Sequence, residues 1–473
     1  MLTQTAMGTS HLSLWLRVRE FAVPPSMIET ATTRRHAGDW GAACAAAGFD
    51  VEFSPRTVAR THGHELSVRV RADLRHLAPD LLRWHMPRVA PDGLLRPGLT
   101  IALARYDGAG RDGVHPVHLV ARTAPAWADA GQRISLALWD GSRSDPAARR
   151  HPHPRPDRRF RLDLHRHLWD ARKADELRSR SGADRPPAPD ADVPDPHVLD
   201  PHLPGTAPPG RLPCAVDRWA AEAQLLLRAE GRSTGPVAVR LGARNRLLLE
   251  PSPDGDGDCG PPAVRITAGS ADAHDPALPV LPDAATWVLP DLELLRAGAF
   301  GADRLHPLVA SALLPDHAPA GPSRGPAAAG RPHLVECRGA THRIALVDGV
   351  LAPLDHDPGE LRREELLVAL TGTPLPCLQA IDVAHRRPDC LTGVRERLDH
   401  GDIAGALAVV EGLLGPDAVL RDGVLRDELE AAAQRRLTYG LFRAGLAEPG
   451  PGRIRPGARR SRDDLRRPRH ATC

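Results

Sequence analysis

Lysine and asparagine are almost absent from this chain of 473 residues. Lys173 is the one lysine among 62 basic residues, so the other 61 are arginines, and Asn245 is the one asparagine. P-loop nucleotide-binding proteins and protein kinases each need a lysine that contacts phosphate. Lys173 follows Arg172 with no glycine-rich loop before it, so the sequence excludes both classes.

Aromatic residues and cysteines are also scarce. Aromatic residues make up 3% of the chain, so we expect a core built mainly from leucine, valine and alanine. The seven cysteines are scattered and form no C-x-x-C pair. This spacing does not predict a disulfide framework, and it favours a reducing, cytoplasmic location.

Long uncharged segments are missing as well. No stretch of 18 residues is free of charge, so we predict no membrane-spanning helix and no membrane partner. The apolar residues near the N-terminus are followed by Arg17, Arg19 and Glu20 without a small-residue cleavage site, which argues against a signal peptide. We expect residues 1–26 to be disordered or to precede the natural start, with Met27 the more natural beginning.

Charge is unevenly distributed along the chain, although the net charge is only +3. Residues 143–180 hold 12 basic and 6 acidic side chains, and residues 182–300 hold 10 basic and 17 acidic ones. Residues 453–470 carry 8 arginines and 2 aspartates. The sequence therefore contains two basic patches and an acidic middle.

The hydrophobic periods predict an α+β protein. A helical N-terminal region leads into a small antiparallel sheet of three strands over residues 99–140, followed by one helix at about 163–180. A second α+β unit has a helix at 216–230 and strands at 237–241, 246–250 and 264–267. The last region opens with a β-hairpin and is otherwise helical.

Proline-rich stretches suggest the domain boundaries. Residues 181–213 contain 10 prolines and read as a linker. The predicted divisions are residues 1–26, an N-terminal α+β domain at 27–180, the linker at 181–213, a middle α+β unit at 214–314, a linker at 315–332, a C-terminal hairpin and helical domain at 333–446, and a disordered arginine-rich tail at 447–473.

Histidine and cysteine clusters are the candidates for metal chemistry, although none has standard spacing. The candidate ligands are His151, His153, Cys377, His385 and Cys390. A nucleophile built from Cys337 and His342 is a further alternative. No cofactor is predicted, because a glycine motif at 255–260 is followed by Pro261 and Pro262, where a helix would have to bind the phosphates.

Tryptophan beside arginine is the pattern that favours protein interfaces. Arg83 precedes Trp84, and Trp169 lies three residues before Arg172. Buried core anchors are the alternative for both tryptophans. The tail adds candidate phosphate contacts at Arg459, Arg460, Arg466 and Arg467.

Three stretches, at residues 73–85, 166–172 and 437–446, resemble a family of uncharacterised actinobacterial proteins. The resemblance covers most of the chain after Met27. It implies a cytoplasmic bacterial protein, and it carries over no activity and no catalytic residues.

The sequence leaves three functional hypotheses. The first is a non-enzymatic protein-interaction or scaffold protein in the cytoplasm, acting on an unidentified protein partner. The second is nucleic-acid association through residues 143–180 and the arginine-rich tail. The third is a hydrolase or metal enzyme that uses some of the cysteines and histidines named above.

Overall fold

The structure is a computed structural model. It describes residues 12–108, 115–128, 131–141, 151–184, 214–242, 245–251, 264–268, 275–316, 333–337, 340–347, 350–353, 391–414 and 423–447, with separate positions between 355 and 378.

Helices form much of this described part. After a helical stretch at 12–17, a π-helical turn covers Val18–Ala22. The α-helices are α1 (Pro25–His36), α2 (Trp40–Ala46), α3 (Pro55–His62), α4 (His64–His76), α5 (Pro79–His85), α6 (Leu177–Ser181), α7 (Val216–Ala229), α8 (Asp283–Thr286), α9 (Pro290–Arg296), α10 (Pro307–Leu313), α11 (Leu391–His400), α12 (Ile403–Leu414) and α13 (Val424–Ala444). None of these helices meets the length and hydropathy needed to cross a bilayer.

The strands form four small sheets. They are β1 (Phe49–Val51), β2 (Arg88–Val89), β3 (Leu94–Leu95), β4 (Thr100–Tyr106), β5 (Val117–Thr123), β6 (Ile134–Trp139), β7 (Val237–Arg240), β8 (Arg246–Pro251), β9 (Val264–Ala268), β10 (His333–Cys337), β11 (Ala340–Val347) and β12 (Val350–Pro353). Strands β4, β5 and β6 pair antiparallel as predicted, and β1 joins β6 in parallel, giving the order β1-β6-β5-β4. The predicted α+β class is confirmed.

The central sheet carries the largest core. Ile101, Leu119 and Leu136 of its strands are fully buried, and helices α4 and α5 contribute Leu74 and Trp84 to the same cluster. Strand β1 escaped prediction because three residues are too few to show an alternating period.

The expectation of disorder at the N-terminus is wrong for residues 12–26. Leu14, Trp15, Val18 and Ala22 recur at helical spacing and are buried in the core. Arg17 of this segment forms an ion pair with Glu396, far along the chain. Residues 1–11 lie outside the described part.

The predicted single helix at 163–180 is also wrong. Two 3₁₀ segments, Arg166–Leu168 and Ala171–Glu176, precede the short helix α6. The side chain of Asp170 accepts a hydrogen bond from the Arg172 amide and caps the second segment. This local bond competes with a continuous helix, as aspartates commonly do.

The segment after residue 288 packs away from its neighbours in sequence. A second core joins helix α7 to strands β7 and β8 through Trp219, Val237 and Leu249. Leu292 and Val309 instead belong to the core of the central sheet. The predicted domain division stays a prediction, and the described packing joins residues 289–314 to the N-terminal region.

The C-terminal helices dock on the N-terminal region at two places. Gly401, which follows α11, lies against Gly131, with 3.2 Å between the Gly401 Cα and the position of a Cβ at Gly131. Tyr439 of α13 donates a hydrogen bond to Asp50 of β1 at 2.9 Å. We call these contacts, together with that of Arg83 with His400, the C-terminal contact.

Candidate functional site

The basic stretch at 143–180 and the acidic stretch at 182–300 pair with each other inside the molecule. Arg159 makes two hydrogen bonds to Asp283, at 2.7 and 3.2 Å. Arg180 makes two bonds to Glu222, at 2.7 and 2.8 Å. We call this set of contacts between residues 158–181 and 217–287 the seam. Arg159, Arg161 and Arg180 are thereby neutralised within the chain, which leaves fewer arginines for phosphates.

His165 is the buried centre of the seam. Its Nδ1 lies 3.0 Å from the carbonyl oxygen of Arg161, and its Nε2 lies 3.1 Å from Glu222. Burial would raise the pKa of Glu222, but hydrogen bonds from His165 and Arg180 outweigh it and lower that pKa below its ordinary value.

A cavity of about 310 Å³ adjoins the seam. Its walls come from four stretches, at residues 14–15, 85–101, 159–168 and 283–290. They are mostly apolar and include the rings of Trp15, Phe160 and Trp287. Pockets that bind small molecules are typically apolar clefts of this size or larger with a few polar groups.

Four arginines also line this cavity, and they differ in their partners. Arg159 is paired with Asp283, which lines the cavity too, and Arg161 with Asp163 and Glu230. In the described part of the chain, no carboxylate oxygen lies within 4.0 Å of the guanidinium of Arg88 or Arg96. Arg96 is exposed.

Arg88 is held by main-chain oxygens. Its Nη1 donates to the carbonyl of Gly93 at 2.8 Å and its Nη2 to the carbonyl of Arg83 at 2.7 Å. Its buried Nε has no hydrogen-bond partner among the described residues. Burial, and then the guanidinium groups of Arg83 and Arg19, hold the pKa of Arg88 well below its ordinary value.

Two further ionisable groups of the cavity are shifted towards their neutral forms. Burial lowers the pKa of His85 to about 4, although the carboxylate of Asp291 opposes the shift. Burial raises the pKa of Asp283, and Arg159 opposes that shift. At neutral pH the cavity therefore offers an apolar surface, a neutral imidazole and an excess of guanidinium groups.

Trp84 and Arg83, which we predicted as interface residues, are core residues. Trp84 is fully buried, and its indole N–H donates to Asp291 at 2.9 Å, while the guanidinium of Arg19 lies 4.0 Å from its ring centroid. Arg83 is 2% exposed and donates hydrogen bonds to four main-chain carbonyls. Neither side chain reaches the surface, so the structure favours the alternative of core anchors.

Trp169 and Arg172 are likewise engaged within the chain. Trp169 is fully buried, and its indole N–H donates to the carbonyl of Leu162 at 2.9 Å. Arg172 is 39% exposed and forms ion pairs with Asp73 and Asp170. An interface role for these residues does not fit this packing, because the tryptophan is covered and the arginine is already paired.

The candidate metal ligands do not gather into a site in the described part of the chain. His151 is buried against the carbonyl of Thr123, whereas His153 is exposed. The two histidines therefore lie in different environments. Across the described residues, no group of three or more histidine, cysteine or acidic side chains is arranged to hold a metal ion.

The remaining predicted site residues lie outside the described part. They are Cys377, His385, Cys390, Arg459, Arg460, Arg466 and Arg467. For the proposed nucleophile pair, the ring of His342 is stacked on that of His356 with 4.2 Å between centroids.

Sequence reasoning missed the cavity. Its walls come from stretches almost 280 residues apart, from 14 to 290, and no local motif marks them. The one available signal was the opposite charge of residues 143–180 and 182–300, which indicated that the two stretches attract each other.

Comparison with known proteins does not assign this site to a family. No family model, no curated protein and no solved structure matches the chain.

Proposed function

We propose that this protein binds a small organic molecule in the cavity beside the seam. The observation that carries the proposal is an apolar cavity of about 310 Å³ whose walls include three aromatic rings, Trp15, Phe160 and Trp287. Aromatic rings bury large apolar areas, so they supply most of the contact energy for a flat or acyl ligand.

The bonds of the seam support a cavity that exists before the ligand arrives. The Asp283 amide donates to the carbonyl of Arg159 at 2.8 Å, in addition to the ion pair of their side chains. These bonds tie two of the four walls together. A preformed site spends little free energy on ordering its own side chains when the ligand binds.

The experiment is a fluorescence titration with N-phenyl-1-naphthylamine, a neutral apolar dye that brightens on leaving water. We expect saturable binding of about one dye per chain, weakened at least about tenfold by Ala284→Trp, since tenfold corresponds to about 1.4 kcal/mol. Ala284 lines the cavity, and the exposed Ala433 on α13 gives the control Ala433→Trp. Equal binding by both variants places the dye elsewhere and rejects the proposal.

We propose protein interaction as a second function, because α13 carries exposed leucines. Leu437 and Leu441 lie one helical turn apart and are 63% and 46% exposed. Tyr439 and Phe442 of the same helix face the N-terminal region, where Tyr439 bonds to Asp50 and Phe442 meets the ring of Trp127 edge to face. The simplest partner is a second copy of the chain, since the same helix face can pack on itself around a twofold axis.

Light scattering over a range of protein concentrations tests this second function. We expect a dimer that Leu437→Glu combined with Leu441→Glu converts to a monomer. Val68→Glu, on an exposed apolar residue of α4, is the control and should leave the dimer intact. A wild-type chain that stays monomeric at every concentration rejects the proposed self-association.

The cellular location belongs to the proposal as well. Cys44 is a free, buried thiol, which supports a reducing compartment such as the cytoplasm. Nucleic-acid binding through the arginine-rich tail stays a prediction, because residues 448–473 lie outside the described part.

A further inference from the structure

We infer that the molecule held by this cavity is an organic acid whose anionic group pairs with Arg88, an inference that rests on the proposed function. Arg88 is the half-buried arginine of the cavity wall that has no carboxylate beside it in the described chain. Arg159 and Arg161 also line the cavity, but acidic side chains neutralise them.

The surroundings of Arg88 make an anion favourable there. Its electrostatic neighbours include Arg83, which bonds to carbonyl oxygens, and Arg19, whose guanidinium is 3.9 Å from Asp291. The charge of Arg83 therefore adds to that of Arg88 behind this wall, whereas Asp291 offsets the charge of Arg19. A buried charge is costly unless it is paired, so an incoming anion gains more at this position than at an exposed arginine.

Arg88 also retains free donors. A guanidinium has five N–H groups, and two of them are used in the bonds to Gly93 and Arg83. The Nε is buried, so the unused hydrogens of Nη1 and Nη2 are the donors left for a ligand. A carboxylate, sulfonate or phosphate can accept from a guanidinium with two oxygens, which makes such pairs strong and directional.

The cavity as a whole selects the class of ligand. Its aromatic and aliphatic walls suit an aromatic or acyl body, and Arg88 suits one acidic group at the end of that body. Exposed Arg96 adds a second positive charge to the lining and should speed the approach of an anion. Asp283 carries the opposing charge, but its pair with Arg159 reduces its repulsion of the ligand.

A matched pair of dyes tests the inference. The dye 8-anilinonaphthalene-1-sulfonate shares the anilinonaphthalene body of N-phenyl-1-naphthylamine and adds one sulfonate. We expect the wild-type chain to bind the anionic dye at least about tenfold more tightly than the neutral one. In Arg88→Met this preference should fall below about threefold, while the neutral dye still binds. The exposed Arg71 supplies the control Arg71→Met, which should keep the full preference.

The outcomes separate the two proposals. Failure of both dyes to bind the wild-type chain at the cavity rejects the proposed function itself. Equal affinity for the two dyes leaves a small-molecule site and overturns the anion inference. An anionic preference that survives Arg88→Met overturns the assignment to Arg88.

A second measurement covers the case in which Arg88→Met does not fold. Bound N-phenyl-1-naphthylamine is displaced from the wild-type chain by 1-naphthoate and, separately, by the neutral ketone 1-acetylnaphthalene, which is similar in shape. We expect 1-naphthoate to displace the dye at about a tenth of the ketone concentration or less. Equal potency of the two compounds overturns the inference without any variant.

Discussion

The seam and the C-terminal contact join the same N-terminal region to two different parts of the chain. They do so through different kinds of interaction. In the seam, charged side chains meet charged side chains, as in the pair of Arg180 and Glu222. In the C-terminal contact, Arg83 donates to the carbonyl of His400, and two glycines bring their backbones together. Charge complementarity is visible in composition, whereas a backbone contact is invisible until the fold is known.

This difference decides how each contact responds to change. The strength of a seam pair depends on burial and salt, because water and ions screen exposed charges. The C-terminal contact depends on shape, because no other residue fits where two main chains touch. We therefore expect single substitutions to damage the C-terminal contact more than the seam.

Arg83→Met should give the largest loss of stability, about 4 kcal/mol. The Arg83 guanidinium donates to the carbonyls of Ala22, Ala47, Gln132 and His400, so its removal leaves buried oxygens without donors. Urea unfolding measures the change. The exposed Arg71→Met is the control, with an expected change within about 0.5 kcal/mol. A loss under about 1 kcal/mol in Arg83→Met would show that water replaces the guanidinium.

Gly401→Ala should come next, with a loss of about 3 kcal/mol. Gly401 has a φ of +86°, and a Cβ there would overlap the carbonyl oxygen of Gly131. Gly393, in the preceding helix α11, has open space around its Cα and provides the control. Gly393→Ala should raise helix stability by up to about 1 kcal/mol. Thermal unfolding of the two variants measures the difference in stability. Similar midpoints would mean that the close approach of Gly401 to Gly131 is not maintained.

The sequence predicted the features of this fold that depend on neighbouring residues, but not those that depend on distant ones. The α+β class, the antiparallel strands β4 to β6 and helix α7 followed from local periods, because each is set by neighbouring residues. The burial of Arg83 did not follow, since its partners lie up to 317 positions away in the chain. For the same reason no local pattern indicated that Leu14 and Pro290 line one cavity.

Glu222→Gln tests the seam itself and should cost about 2 kcal/mol. The change removes the negative charge that Arg180 and His165 both contact. Glu230 belongs to the same seam, but its side chain is 41% exposed where it meets Arg161. Glu230→Gln should therefore cost less than about 0.5 kcal/mol. Equal losses in urea unfolding would contradict the view that burial sets the strength of seam pairs.

The response to acid provides the finest test, because His400 titrates within the C-terminal contact. Burial, followed by the charges of Arg88, Arg83 and Arg17, lowers the pKa of His400 to about 3, against an ordinary value of about 6.5. Between these two pH values the unfolded chain binds a proton that the folded chain excludes. The stabilising effect is therefore complete above about pH 6.5 and is lost as the pH falls towards 3, by up to about 1.4 kcal/mol per pH unit.

His400→Gln should flatten the dependence of unfolding free energy on pH by that amount between pH 6.5 and 5, as measured in urea. His64→Gln, on an exposed histidine, is the control and should leave the slope as in the wild type. If His400→Gln keeps the wild-type slope, the imidazole is hydrated in the folded chain, and the C-terminal contact is open enough for solvent to enter between helix α11 and the N-terminal region.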